Sequence, residues 1–322
     1  MPITSLPKGV FPTMITPFTD EGKVDWPVLQ GLVEWYIAAG CSGLFAVCLS
    51  SEMYDLTDEE RIELARAVKK YAADRVPVVA TGTFGGSLED QAAFMTKMAA
   101  EVDAVVIITS LVAEEAADGA TWKANCEKLL SLTEGPLGFY ECPVPYKRVL
   151  TPEELKWAAG TGRFLFHKDT CCDTVQIKAK LDAVADLPTP FRFYNANVET
   201  LAFSNGHGGA GFSGISANFY PFLHARLCAE DPPLSEKDAA RLQRFVSLAE
   251  ATVCDVYPKS AKGYLAHVYP GLPIKLNTRA KHVASVQPNE IHRLHWQHMK
   301  ESVEELCAAL DQPITPVAPA LP

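Results

Sequence analysis

The sequence predicts a (β/α)₈ barrel with a C-terminal helical appendage, and two of its patterns indicate this fold. Eight short apolar runs alternate with longer segments in which apolar residues recur at helical spacing, in units of roughly 25 to 30 residues. Strand signals then stop near residue 230, and only helical patterns follow. Eight strand–helix units suit a closed barrel, which typically takes about 250 residues. A doubly wound open sheet shows the same alternation, and periodicity alone does not exclude it.

The predicted strands are short runs rich in Val, Ile, Phe and Tyr, which favour pleated structure. In chain order they span 9–18, 43–51, 76–84, 103–110, 137–143, 163–170, 191–197 and 209–217. Alternation divides the sixth strand into an inward and an outward face. The residues predicted to share the inward direction are Phe164, Phe166, Lys168 and Thr170. Leu165 and His167 are predicted to face the helix layer.

The predicted helices carry recognisable start signals. "TDEERIELARAVKKYAA" opens with Thr57 and has Glu60 three residues later, which is a capping box. Segment 25–40 places its apolar residues on one face and ends at a glycine. Segments 87–100 and 151–160 begin with Ser or Thr and carry acids in their first turn, as helix N-termini favour.

The chain is predicted to divide into a barrel, residues 1–230, and a C-terminal helical domain, residues 231–322. Within the second part, 232–257 and 287–310 read as long helices, with a shorter helical piece around 258–269. The Pro-rich tail "DQPITPVAPALP" is predicted to be either mobile or draped on the surface.

Composition excludes several classes of partner. The formal net charge is −10 and no basic cluster stands out, which argues against binding to nucleic acid or to anionic membrane. No run approaches the roughly 18 apolar residues of a membrane span, and the N-terminal stretch lacks the apolar core of a signal peptide. Nine cysteines without a metal-like C-x-x-C pair suit reduced thiols. A cytoplasmic protein is therefore expected.

The apolar sixth strand ends on Lys168, an unusual residue for a buried position. If the strand faces the barrel interior as predicted, Lys168 projects into the mouth of the barrel, where catalytic groups of this fold lie. Desolvation lowers the pKa of an ammonium, so a neutral amine becomes available to attack a ketone. The product would be a Schiff base, an electron sink for carbon–carbon bond chemistry. A structural ion pair with Asp169 explains the position equally well.

Tyr140 ends the fifth predicted strand in "GFYECPVP". Adjacent barrel strands bring their C-terminal ends together, so this phenol is expected near Lys168, where it would shuttle protons. A core tyrosine with a satisfied hydroxyl is the alternative.

Five segments, in this order and spacing, carry a family resemblance: "GVFPTMITPF", "GLFAVCLSSE", "GFYECPVP", "HKDT" and "GISAN". They span roughly residues 8 to 230 and resemble the dihydrodipicolinate synthase / N-acetylneuraminate lyase family, whose C-terminal extension the helical tail also fits. The resemblance implies that Lys168 forms a Schiff base with pyruvate or another 2-keto acid and that Tyr140 is its proton-transfer partner. It also implies a homotetramer, or a dimer with one tight interface. No metal or organic cofactor is expected.

The family binds the substrate carboxylate at a Gly-[Thr/Ser]-Thr-Gly-Glu turn after the second strand, and 48–52 is the corresponding stretch here. Ser50 and the backbone amides around Ser51 are predicted to cradle the carboxylate. Asn195 and Ser213, at the ends of strands seven and eight, are further candidates to bind substrate. For each of these two, capping a helix or satisfying backbone groups is an equally good explanation.

The sequence departs from the synthase branch at several positions. Leu49 replaces a proton-relaying hydroxyl residue, and the loop 109–119 contains no tyrosine where the synthases contribute one from a neighbouring subunit. The synthase arginine that holds a second carboxylate falls at Pro145, and only Lys147 or Arg148 could replace it, with shifted geometry. The sequence therefore predicts a lyase or aldolase that is not a true dihydrodipicolinate synthase. A dehydratase of deoxy-keto sugar acids and a keto-acid-binding barrel without turnover remain as alternatives.

Three motifs are predicted to be incidental. "GHGGAG" (206–211) matches a dinucleotide fingerprint but lacks the required preceding strand and following helix. His292, His295 and His298 turn around a helix axis rather than converge. Cys171 and Cys172 have no paired histidine and are interpreted as packing residues.

Overall fold

The computed structural model describes residues 3–321. Eight parallel strands form one sheet in the order β1-β8-β7-β6-β5-β4-β3-β2. The strands are β1 (Gly9–Val10), β2 (Leu44–Phe45), β3 (Val78–Thr81), β4 (Ala104–Ile108), β5 (Leu137–Tyr140), β6 (Phe164–Asp169), β7 (Arg192–Asn195) and β8 (Gly211–Phe212). A parallel bridge between Thr13 and Phe45 joins the continuation of β1 to β2. The sheet thus closes on itself, and the predicted (β/α)₈ barrel is confirmed.

Helices alternate with the strands and then continue alone. The barrel helices are α1 (Trp26–Ala38), α2 (Asp58–Ala72), α3 (Leu88–Ala99), α4 (Gly119–Leu132), α5 (Pro152–Gly160), α6 (Thr174–Val184), α7 (Leu201–Gly206) and α8 (Pro221–Cys228). The C-terminal helices are α9 (Glu236–Cys254), α10 (Lys259–Val268), α11 (Lys281–Ala284) and α12 (Glu290–Ala308). Among residues 3–321, no helix has both the length and the apolar character needed to cross a lipid bilayer.

The start signals in the sequence form as predicted. The Thr57 hydroxyl accepts from the backbone N–H of Glu60, and the Glu60 carboxylate accepts from the backbone N–H of Thr57. The capping box at α2 is therefore confirmed. Equivalent boxes open α3 at Ser87 and α5 at Thr151. These caps satisfy the backbone donors that a helix leaves unpaired in its first turn.

The observed strands are shorter than the predicted apolar runs. Segment 9–18 keeps only two ladder residues, and its remainder continues as an extended path with isolated bridges. Pro12 and Pro17 lie in this remainder and lack the N–H that a continuous ladder requires. The apolar run therefore extends beyond the strand and supplies the loops at the barrel mouth.

The Pro-rich tail lies along α1 rather than away from the molecule. The indole N–H of Trp35 donates to the carbonyl of Val317 at 2.6 Å. The carbonyl oxygen of Ala320 lies 2.8 Å from the point where a β-carbon on Gly31 would stand, so only glycine permits this approach. Of the two predicted behaviours of the tail, the draped one is observed.

Candidate active site

Lys168 and Tyr140 lie side by side at the C-terminal ends of neighbouring strands. Tyr140 on β5 is the direct register partner of Lys168 on β6. The Lys168 Nζ stands 4.1 Å from the centroid of the Tyr140 ring, and the two residues are only 4% and 3% exposed. The sequence prediction that these two side chains meet inside the barrel is therefore matched by the geometry.

One detail of the predicted alternation is wrong. The β5–β6 register shifts between Leu137 and Gly138, so Phe164 does not share the direction of Phe166 and Lys168. Phe164 stacks on Phe139 with ring centroids 4.2 Å apart and contacts Trp157 of α5, on the side of the helix layer. A single irregularity in a strand inverts every side chain on one side of it.

The predicted aromatic floor beneath Lys168 is nevertheless present. Phe166 lies 5.0 Å from Tyr194 and 5.6 Å from both Phe11 and Phe45, measured between ring centroids. All four rings are fully buried. They exclude water from below, so the Lys168 amine lies over an apolar layer.

Burial sets the protonation of Lys168. Desolvation lowers the pKa of its ammonium to about 8, and the thiols of Cys48 and Cys142 oppose the shift only in part. Among residues 3–321 its Nζ makes no side-chain hydrogen bond or salt bridge, and it lies over the Tyr140 ring instead. Asp169, the alternative partner considered from sequence, instead accepts from Lys180 at 2.5 Å. At pH 7 a pKa of about 8 leaves about a tenth of the amine neutral, far more than for an ordinary lysine.

Tyr140 remains a protonated phenol. Burial raises its pKa well above the ordinary value, and the nearby thiols of Cys142 and Cys48 act in the same direction. A phenol of this kind does not compete with Lys168 as an anion. It has an O–H and lone pairs with which to give and take a proton at a neighbouring oxygen.

A cavity of about 500 Å³ opens above the two residues. The strands supply Tyr140 and Lys168, and the short helical turn after β2 supplies Leu49 and Ser50. The other lining residues come from loops and from the C-terminal segment: Glu52, Tyr54, Asp55, Val144, Ile215, Tyr257, Pro258, Ala280, Lys281 and His282. A cavity of this size is in the range that binds small molecules.

The predicted substrate-binding residues have different environments. Ser50 lines the cavity. The Ser51 hydroxyl donates to the Cys48 carbonyl at 2.7 Å and accepts from the Cys48 N–H at 2.8 Å, which ties the turn together. The side-chain amide of Asn195 donates to the Thr200 hydroxyl at 2.8 Å, and its oxygen accepts from the backbone N–H of Asn197 at 2.8 Å.

Ser213 is fully buried beside β8 and, within the described part of the chain, its hydroxyl has no hydrogen-bond partner. Ser51, Asn195 and Ser213 are absent from the described residues that line the cavity. The geometry thus brings Lys168, Tyr140 and Ser50 together, and the direct contact of the other three with substrate stays a prediction.

The C-terminal segment contributes a wall that the sequence did not predict. Glu52 is buried at the end of the turn after β2, and its carboxylate accepts from Lys262 at 2.6 Å, from Thr278 at 2.7 Å and from the N–H of Ala280 at 2.9 Å. These bonds fasten residues 277–280 over the barrel mouth. Tyr257 is held by Asn218, whose amide donates to the phenol at 2.9 Å.

A buried ion cluster lies on the opposite face of β5 and β6 and was also missed. Lys180 on α6 donates to Glu141 at 2.6 Å and to Asp169 at 2.5 Å. His167 lies 3.5 Å from Glu141 and 3.7 Å from Asp169, and all four side chains are at most 1% exposed. The acids and His167 are close enough to suggest a metal site, but the Lys180 ammonium already binds both carboxylates. The arrangement is therefore a salt-bridge cluster.

The three incidental motifs lie away from the cavity. Residues 206–211 run from the end of α7 into β8, which is the reverse of a strand–turn–helix phosphate loop. His292 pairs with Asp255 at 3.3 Å on α12. Cys171 and Cys172 follow β6 and are half-buried and exposed, respectively.

Comparison with known proteins gives one consistent result. A family model described as the dihydrodipicolinate synthetase family matches residues 6–257. A 4-hydroxy-tetrahydrodipicolinate synthase from Ruegeria pomeroyi is 30% identical over 226 residues, covering 69% of this chain and 73% of that protein. One from Acidobacterium capsulatum is 27% identical and covers 85% of this chain and 92% of its own. A solved dihydrodipicolinate synthase from Acinetobacter baumannii, complexed with pyruvate, has a TM-score of 0.77 at 22% identity, covering 91% of this chain and 98% of that one.

Proposed function

Because the chain belongs to the dihydrodipicolinate synthetase family, we propose that it is a lysine Schiff-base lyase or aldolase acting on pyruvate or another 2-keto acid. The observation that carries this proposal is the state of Lys168. Its amine is buried and lacks an acidic partner within the described residues, and its Nζ lies 4.1 Å from the centroid of the Tyr140 ring. Burying a lysine without a counter-ion is costly, and a role as nucleophile accounts for that cost.

The proposed chemistry follows from the two side chains. The neutral Nζ of Lys168 attacks the C2 carbonyl carbon of the keto acid and gives a carbinolamine. Tyr140 donates a proton to the departing oxygen, which leaves as water, and an iminium remains. The Tyr140 phenolate then takes a proton from C3, which restores the phenol and gives an enamine, the carbon nucleophile of an aldol reaction. The reverse sequence cleaves a 4-hydroxy-2-keto acid.

The keto-acid carboxylate is assigned to the turn after β2. The Ser50 hydroxyl lines the cavity and is the donor we assign to it. The N–H of Ser51 already donates to the Cys48 carbonyl at 3.1 Å, so Ser51 is assigned to holding the turn rather than to a direct contact. This assignment narrows the sequence prediction, in which both serines bound the carboxylate.

We further propose that the activity is not dihydrodipicolinate synthesis. Pro145 stands where the synthase arginine is expected. Arg148 pairs with Glu154 at 2.6 Å and stacks over Trp122, and Lys147 is exposed near Cys172. Neither cation is among the described residues that line the cavity. We also propose that the protein forms a homotetramer or a dimer, because the family resemblance implies one of these assemblies.

Reductive trapping tests the proposed function. The protein is incubated with pyruvate and sodium borohydride, and the adduct is located by peptide mass analysis. We expect one modified lysine, Lys168, and no adduct in Lys168→Arg, whose guanidinium cannot form an iminium. The exposed Lys147 serves as an internal control because it should stay unmodified. If Lys168 remains unmodified with pyruvate and with several larger 2-keto acids, the proposal is wrong.

A further inference from the structure

The cavity above Lys168 is built from two kinds of surface. The strand ends and the turn after β2 supply polar groups, namely Lys168, Tyr140 and Ser50. Leu49 of the same turn, the loops at the mouth and the C-terminal segment supply an apolar wall. Its aliphatic members are Leu49, Val144, Ile215, Pro258 and Ala280. A reactant that enters after the keto acid therefore meets the apolar wall.

Glu52 and Tyr54 on that wall are already engaged with protein partners, and the half-buried Asp55 is a further acid in the cavity lining. Both carboxylate oxygens of Glu52 are held, one by Lys262 and the other by Thr278 and the N–H of Ala280. The Tyr54 hydroxyl donates to the carbonyl of Val144 at 3.0 Å. A polyol would therefore bury hydroxyls with few partners left, which costs free energy for each unpaired group.

The wall also lacks a buried cation for a second carboxylate. Arg148 is bound to Glu154. Among the described residues that line the cavity, Lys281 is the lysine other than Lys168, and it is exposed at the rim. His282 is also exposed there, beside the carbonyl of Tyr257 at 3.2 Å. A carboxylate on the second reactant would lose water without gaining a desolvated ion pair.

We infer that the second reactant at this site is an aldehyde with an apolar, aryl-sized side group. This inference rests on the proposed function and names its substrate class. The enamine carbon of the Lys168 adduct attacks the aldehyde carbon, a carbon–carbon bond forms, and the aldehyde oxygen takes a proton from Tyr140. Water then hydrolyses the iminium, which releases Lys168 and a 4-hydroxy-2-keto acid. One pyruvate and one aldehyde give one product, without any redox change.

An aldehyde panel with the wild-type protein tests the inference. Pyruvate is combined in turn with benzaldehyde, succinic semialdehyde and glyceraldehyde, and the 4-hydroxy-2-keto acid is quantified by liquid chromatography and mass spectrometry. Because burying apolar surface is favourable, an aryl group against the wall should raise kcat/KM about tenfold or more over glyceraldehyde. Equal or lower kcat/KM with benzaldehyde, or no product from it, overturns the inference.

Borohydride trapping separates this inference from the proposed function. If Lys168 is trapped with pyruvate but benzaldehyde is not preferred, the substrate class is wrong and the Schiff-base function stands. If Lys168 is not trapped, the function itself fails and the inference fails with it.

A pair of matched variants locates the preference in the wall. Val144 lines the mouth and is 41% exposed, so Val144→Lys should fold while placing a cation on the apolar wall. We expect kcat/KM to fall about tenfold for benzaldehyde and to rise for succinic semialdehyde. Leu248→Lys makes a similar change at an 81% exposed position on α9, outside the described cavity lining, and should leave both values unchanged. An unchanged benzaldehyde-to-semialdehyde ratio in Val144→Lys contradicts the inference, and the wild-type panel decides if that variant is unstable.

Discussion

Replacing Lys180 by methionine should destabilise the protein more than any single change on its surface. Lys180 donates to Glu141 at 2.6 Å and to Asp169 at 2.5 Å, and the three side chains are at most 1% exposed. The variant leaves two carboxylates in the interior without their cation. Removing one partner of a buried ion pair costs about 3–5 kcal/mol, because the remaining charge has lost both water and its counter-ion.

The same helix offers a matched control. Lys178 pairs with Asp182 at 2.5 Å, but the two side chains are 50% and 60% exposed. An exposed pair of this spacing contributes only about 0.3–0.5 kcal/mol, so Lys178→Met should have little effect. The two variants thus make the same chemical change two residues apart on α6, and they differ in burial.

Thermal and urea unfolding followed by circular dichroism would measure the difference. For a chain of this size, 3–5 kcal/mol corresponds to a Tm lowered by about 5–10 °C. Adding Asp169→Asn to Lys180→Met should recover part of the loss, because it removes one of the two unpaired charges. If Lys180→Met costs no more than Lys178→Met, the buried cluster does not have the energetic role that its geometry indicates.

Two further predictions concern the same pair of strands. Tyr140→Phe should lower kcat by about 10²–10⁴-fold, because a proton donor is lost, while borohydride still traps Lys168 but more slowly; unchanged turnover would remove the phenol from the mechanism. Burial alone would lower the pKa of His167, but the carboxylates of Asp169 and Glu141, 3.7 and 3.5 Å from its Nε2, outweigh burial and raise the pKa above its ordinary value of 6.5. Its contribution is therefore present below pH 6.5 and lost as the pH rises through the raised pKa, so wild-type stability should fall with rising pH above 6.5 relative to His167→Gln. Parallel stability curves for the two proteins across that range would contradict the assignment.

Local patterns predicted the fold and the two central residues for physical reasons. Strand and helix periods, caps and the order of elements are properties of short segments, so the barrel could be predicted before any tertiary contact was known. The meeting of Tyr140 and Lys168 followed from parallel strands whose ends share one edge of the barrel. The predicted direction of the Phe164 side chain was wrong because the single register shift between Leu137 and Gly138 leaves no mark in the sequence.

Residues that act across long sequence separations were missed. Tyr257 and Ala280 line the cavity because Glu52, more than 200 residues earlier, fastens the C-terminal segment over the mouth. No local pattern encodes that contact. The ion cluster did leave a signal, since Glu141, His167 and Asp169 interrupt two otherwise apolar strands. Several ionisable residues in buried strands indicate mutual pairing, because none of them is stable there alone.

Strand alternation keeps the counter-ions of this site away from its nucleophile. Two buried lysines lie on opposite sides of β5 and β6. Burial lowers the pKa of Lys168 to about 8, whereas the acids around Lys180 outweigh its burial and raise its pKa. The carboxylates of Glu141 and Asp169 project to the outer face of β5 and β6. On the inner side Lys168 has the Tyr140 phenol and the thiols of Cys48 and Cys142 as neighbours instead.

Placing an acid on the inner side should therefore undo the tuning. The buried thiol of Cys142 faces Lys168 closely enough to affect its pKa, so Cys142→Asp would pair a carboxylate with the ammonium. The pH profile of borohydride trapping, expected to rise with an apparent pKa of about 8 in the wild type, should move toward the ordinary lysine value of 10.5 in this variant. Cys142→Ser keeps the size and neutrality of the side chain and should leave the profile in place. An unshifted profile in a folded Cys142→Asp protein would mean that the missing counter-ion is not what keeps Lys168 reactive.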